Sequence, residues 1–60
     1  MNMGEKIKFR RKQLKMSADA LGEAIGKNRA TIYRYEKNEI EDMPYTIVSK
    51  LAKALNLSPS

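Results

Sequence analysis

The chain has 60 residues, 12 Lys/Arg against 7 Asp/Glu for a net charge of +5, and neither cysteine nor histidine. A domain this small buries only about 60% of the surface its unfolded form exposes, and here it does so without a disulfide. The missing residue types argue against a zinc site and against the usual nucleophile–base pairs of an enzyme, and no cofactor is expected. No apolar run approaches the roughly 20 residues of a membrane span, and no signal-peptide core opens the chain. One soluble, cytoplasmic domain over residues 1–60 is expected.

Residues 3–15 read as a first helix, because Met3, Ile7, Arg10 and Leu14 share one stripe of a 3.6-residue period. The arginine on that stripe needs a partner or a route to water. Lys6, Lys8, Phe9, Arg11, Lys12 and Lys15 lie off it. Ser17 is suited to cap a second helix over roughly 18–25, and Asp19 in its first turn complements the helix dipole. Leu21 and Ile25, with Ala18 and Ala24 nearby, turn to the core. Gly26 fits the left-handed residue that ends a helix. Gly22 is unfavourable inside a helix by about 1 kcal/mol relative to alanine, and makes sense where another backbone passes close.

Asn28 is placed to cap a third helix over about 29–37, with Ile32 and Tyr35 inward and Arg29, Ala30, Tyr33, Arg34 and Lys37 outward. Glu36, one turn on from Ile32, sits on the shoulder of the buried face and is expected to pair with Arg10. Residues 38–43 form an acidic loop with Ile40 as its apolar anchor. Pro44 fits the first turn of a fourth helix over 44–55, whose apolar face is Ile47, Val48, Leu51, Ala54 and Leu55. Asn56 breaks that helix, and Leu57 is placed to fold back on the core. Ser58-Pro59 has the cap-and-proline start of a fifth helix, yet the sequence stops at Ser60. That suggests a piece of a longer protein, with a natural short terminus as the alternative. The expected fold class is all-α: a compact bundle of four to five short helices, in which residues 17–37 form a helix-turn-helix.

The charge is unevenly placed. Residues 1–37 carry ten Lys/Arg against four Asp/Glu, whereas residues 38–60 carry two against three. A polyanion-binding surface would show this asymmetry; a solvated lysine-rich surface is the alternative, and a membrane-surface helix is disfavoured by sparse bulky apolar residues. The major groove of DNA admits an α-helix whose amino-terminal side chains reach the base edges. In that role the candidate base-reading residues are Asn28, Arg29, Ala30, Tyr33 and Arg34. Arginine pairs bidentately with guanine, asparagine bonds adenine or phosphate, and the tyrosine ring meets a thymine methyl. Candidate phosphate contacts are the amino end of the second helix at Ser17 and Ala18, together with Arg11, Lys15, Lys27, Lys37 and the amide of Asn38. Ordinary solvent exposure is the competing reading for each.

With these residues in view, the chain resembles the DNA-binding domains of lambdoid phage repressor and xenobiotic-response-element-type regulators. The matching features are I-K-x-R-R-K-x-L-x-M-S at residues 7–17, L-x-x-x-I-G at 21–26, R-x-T-I-x-R-Y-E at 29–36 and L-A-K-A-L-N-L-S-P at 51–59. The I-E-D-M-P tract at 40–44 is similar to phage-type repressors whose longer chains add a self-cleaving, dimerising domain of the LexA type. The resemblance implies a five-helix fold, binding to double-stranded DNA at a palindromic operator as a homodimer, through this domain or a further C-terminal region, and repression of transcription. It also implies a salt bridge between the first and third helices, carried onto Arg10 and Glu36. Three positions depart from the family pattern: Ala18 stands where glutamine is usual, Gly22 where alanine is usual, and Lys27 where an apolar residue is usual. An antitoxin or protein-interaction module on the same scaffold is the alternative function, and would present a neutral or apolar outer face on the third helix.

Overall fold

Residues 2–39 and 43–57 are described by the computed structural model. Among them four helices follow in order: α1 (Met3–Gln13), α2 (Ala18–Ile25), α3 (Arg29–Glu36) and α4 (Tyr45–Ala54). Each of the first three begins on a side chain that accepts an orphan helix N–H. Asn2 Oδ1 takes the Glu5 N–H at 2.9 Å, Ser17 Oγ takes that of Ala20 at 3.0 Å, and Asn28 Oδ1 takes that of Thr31 at 2.8 Å. Pro44 caps α4 with extended backbone (ψ 147°) rather than opening it, so the helix starts one residue later than the sequence pattern suggests.

All four helices stop in the same way. Lys15, Gly26, Asn38 and Asn56 adopt left-handed backbone at φ 56°, 76°, 58° and 55°. Each then turns the next N–H back onto a carbonyl of the preceding turn: Met16 to Arg11, Lys27 to Gly22, Glu39 to Arg34 and Leu57 to Ala52. This is the Schellman arrangement, which satisfies carbonyls left open at a helix end. Lys15 in that conformation ends α1 two residues before the limit set by its periodicity.

Leu21, Ile25, Ile32 and Leu55 form the fully buried centre, surrounded by Ile7, Ala18, Tyr35, Ile47 and Leu51, with Met16, Met43 and Ala54 packed against them. α2 packs on both α3 and α4, and α1 packs on α3. No helix among the described residues is long and apolar enough to cross a membrane. The expected Ile40 anchor and the start of a fifth helix at Ser58-Pro59 lie outside the described residues.

The buried face of α1 differs from the expected stripe. Gly4, Ile7 and Arg11 point inward, whereas Met3 is 51% and Leu14 41% exposed. The cause is a close approach at Gly4. A Cβ there would meet the Glu36 carbonyl and would stand 2.7 Å from both Tyr35 O and Asn38 Nδ2. Only the glycine side of α1 can lie against the end of α3, and that contact turns the buried face of the helix by roughly 60° from the expected stripe. Ile7 belongs to both stripes, so the apolar pattern alone could not separate them.

Candidate nucleic-acid interface

The turn between α2 and α3 passes directly over Gly22, as that glycine's presence in mid-helix suggested. A Cβ on Gly22 would lie 2.6 Å from the Lys27 carbonyl oxygen and 3.3 Å from Asn28 C and O. Gly26 supplies the left-handed residue, Lys27 follows, and Asn28 caps α3. The turn is therefore short, and the start of α3 is fixed against the body of α2.

α3 divides cleanly into two faces. Ile32, Tyr35 and Glu36 are buried, while Asn28, Arg29, Ala30, Tyr33 and Arg34 are all exposed. The five residues selected from the sequence as base readers are thus all solvent-exposed, from the cap of α3 to its middle. Lys27 and Lys37, at either end of α3, are exposed too, as is Lys15 just before α2. At the start of α2 the Ala18 side chain is buried and the Ser17 hydroxyl is engaged in its cap. The backbone N–H groups of Ala18 and Asp19 belong to the first turn of the helix, where no intrahelical acceptor exists.

Behind this surface the ion-pair assignment needs correcting. Glu36 pairs with Arg11, not Arg10: Arg11 Nε donates to Glu36 Oε2 at 2.6 Å and Nη2 donates to Oε1 at 3.2 Å, with the side chains only 9% and 3% exposed. Arg11 Nη1 also donates to the Met16 carbonyl at 2.9 Å, immediately ahead of the α2 cap. One guanidinium therefore ties α1 to α3 and to the entry of α2. The hydrogen bond to Glu36 raises the Arg11 pKa despite the opposing effect of burial, so the group stays charged. Arg11 is accordingly spent within the fold and is not available to a phosphate. Arg10 instead donates through Nε to the Leu55 carbonyl at 2.8 Å and through Nη1 to Gln13 Oε1 at 3.0 Å, placing a cation at the carboxyl end of α4, where the helix dipole favours it.

Asn38 is partly engaged within the fold. Its backbone N–H donates to the Tyr35 carbonyl at 3.1 Å, and its Oδ1 accepts the Gly4 N–H at 3.1 Å. Its backbone N–H and Oδ1 thus close α3 and join the start of α1 to it, while the residue itself stays exposed. The sequence signal was present, in an asparagine just past a helix end, but its partner lies 34 residues away.

One contact on the outer surface has no counterpart in the sequence reading. Arg29 Nη1 lies 3.6 Å from Asp19 Oδ2, with side chains 63% and 69% exposed. It links the first turn of α2 to the first residue of α3.

An all-α bundle whose second and third helices are pinched over a glycine, with a polar basic face on the third, defines the helix-turn-helix class. The helix-turn-helix family model matches residues 7–60, and the chain belongs to that family. Among curated proteins, repressor protein C2 of Salmonella phage P22 is 40% identical over 57 residues, which is 95% of this chain and 26% of the phage protein. The chain therefore spans about a quarter of that relative's length. Among solved structures, a crystal structure of the P22 c2 repressor in complex with synthetic operator 9T superposes with a TM-score of 0.89 at 39% identity, covering 98% of this chain and 88% of that one. The resemblance to phage repressor domains seen in the sequence holds in both fold and family.

Proposed function

We propose that this domain binds double-stranded DNA sequence-specifically as the DNA-binding part of a cytoplasmic transcriptional repressor, with α3 in the major groove. The observation that carries this reading is the free outer face of α3, where Arg29, Tyr33 and Arg34 stand exposed beside Asn28 and Ala30, on a fold whose phage relative is solved on an operator. Arg29 and Arg34 would read guanine edges and Tyr33 a thymine methyl, while Asn28, whose Oδ1 caps α3, would donate through its Nδ2 to an adenine or a phosphate. Ala30 leaves room for close approach. Phosphates would be held by Lys15, Lys27, Lys37 and the amino end of α2 at Ser17 and Ala18.

The longest extent of the domain is 26 Å, shorter than the roughly 34 Å of one duplex turn. One copy covers one half-site, which supports a homodimer on a palindromic operator, assembled through this domain or a further C-terminal region of the LexA type. Residues 1–60 act in this reading as a single binding unit with no catalytic role. The two arginines on α3 weigh against an antitoxin or protein-interaction module, whose outer face should be neutral or apolar.

The test is a fluorescence-anisotropy titration of random duplex at several salt concentrations. With Arg11 withdrawn from the phosphate set, about four to five phosphates are neutralised, giving a log–log slope near −4. A flat salt response would overturn the reading.

A further inference from the structure

We propose that Asp19 is a specificity-determining residue that positions Arg29 to read a guanine, an inference that rests on the DNA-binding reading above. The two residues belong to different helices, and each sits in its helix's first turn. The short turn over Gly22 brings them together, with Asp19 Oδ2 3.6 Å from Arg29 Nη1. Arginine carries five N–H donors in a planar fork. A carboxylate engaging Nη1 leaves the Nε and Nη2 edge of the fork free, and that edge has the two parallel donors that guanine O6 and N7 accept.

In the free domain both side chains are more than half exposed, so the pair biases the arginine only lightly. Docking into a groove excludes water from it, and the attraction between the charges strengthens as the local dielectric falls. The carboxylate then acts in two ways. It holds the guanidinium toward the bases, and it opposes the alternative in which Arg29 swings out to a phosphate, because Asp19 itself repels the backbone. Arg29 without Asp19 would be a general DNA anchor. Arg29 with Asp19 is a guanine reader.

The experiment measures binding to the best duplex selected from a random pool and to its single base-pair variants, for the wild type, Asp19→Ala, Asp19→Glu, Arg29→Ala and the Asp19→Ala/Arg29→Ala double variant. Circular dichroism confirms that each is folded. Arg29→Ala should erase a guanine preference of roughly five- to a hundredfold at one base pair. Asp19→Ala should reduce preference at that same base pair severalfold while raising affinity for random duplex. Asp19→Glu should restore part of the preference, and the double variant should show no further loss at that base pair. Two results would overturn the proposal while leaving DNA binding intact: Asp19→Ala raising affinity for every duplex equally with all preferences kept, or Arg29→Ala changing preference at no position. A wild-type domain that binds all duplexes alike would overturn the sequence-specific reading itself.

Discussion

Arg11 and Glu36 form a two-pronged ion pair, 2.6 and 3.2 Å in its two hydrogen bonds, almost wholly removed from solvent. The third guanidinium nitrogen holds the Met16 carbonyl, so one side chain sets the relative placement of α1, α3 and the start of α2. Removing either partner strands a charge in the interior, which costs about 3–5 kcal/mol, whereas removing both strands no charge and costs less than the two losses together. A domain of this size has a total stability of only about 3–9 kcal/mol. Arg11→Met and Glu36→Gln are therefore each expected to lose a large share of that stability, and the double variant to be less destabilised than the sum of the two. Urea denaturation at low temperature measures the cycle; additive effects would show that the pair does not act as a unit. Because the folded-state pKa of Arg11 is raised, its contribution is fully present below the ordinary arginine range and is lost only at still higher pH.

Gly4 reverses the usual expectation for a helical glycine. Alanine inside a helix ordinarily gains up to about 1 kcal/mol over glycine. Here the new Cβ would meet the backbone oxygens of Glu36 and Tyr35 and the Asn38 side-chain nitrogen. Gly4→Ala is expected to destabilise by about 1–3 kcal/mol through overpacking, and thermal unfolding reads the sign directly.

The left-handed positions after the helices divide by what their side chains do. Lys15 sits at φ 56°, a conformation that costs a non-glycine residue roughly 1 kcal/mol. Lys15→Gly is therefore expected to raise Tm by about 4–8 °C, the shift that about 1 kcal/mol produces in a domain of this size. Asn38 has nearly the same φ, 58°, yet its Oδ1 holds the Gly4 N–H. Asn38→Gly is expected to lower stability, because the lost hydrogen bond and the freed end of α1 outweigh the relief. Opposite signs from the same substitution at matching backbone positions make the comparison discriminating.

Local chemistry made much of this fold legible in the sequence. Ser17, Asn28 and Gly26 act within three residues of themselves, and each does in the structure what its type suggests. The exposed face of α3 follows from Ile32 and Tyr35 by periodicity alone. What the sequence did not disclose is long-range. The rotation of α1 depends on a glycine meeting the end of α3, and neighbouring arginines such as Arg10 and Arg11 differ by only one step along the helix. Large residues at Met3 and Leu14 pointed to the wrong stripe, whereas Gly4 carries no hydrophobic signal at all. The same holds for Asp19, readable as a dipole partner but not as a neighbour of Arg29 until the turn is folded.

The division of basic residues between fold and interface can be tested on DNA. Lys27 is exposed at the mouth of the turn, whereas Arg11 is buried against Glu36. If Lys27 neutralises a phosphate, Lys27→Ala should weaken binding to all sequences alike and make the salt slope shallower by about 1. Arg34→Ala should instead relax preference at particular base pairs, by about 1–3 kcal/mol at the position read. The Arg11→Met/Glu36→Gln double variant, measured at a temperature where it is folded, should leave the salt slope unchanged because neither residue reaches the backbone. Anisotropy titrations over a salt series, each extrapolated to the same ionic strength, separate the three outcomes. A slope that falls by about 1 in the double variant would return Arg11 to the phosphate surface and contradict the placement of its side chain beneath α3.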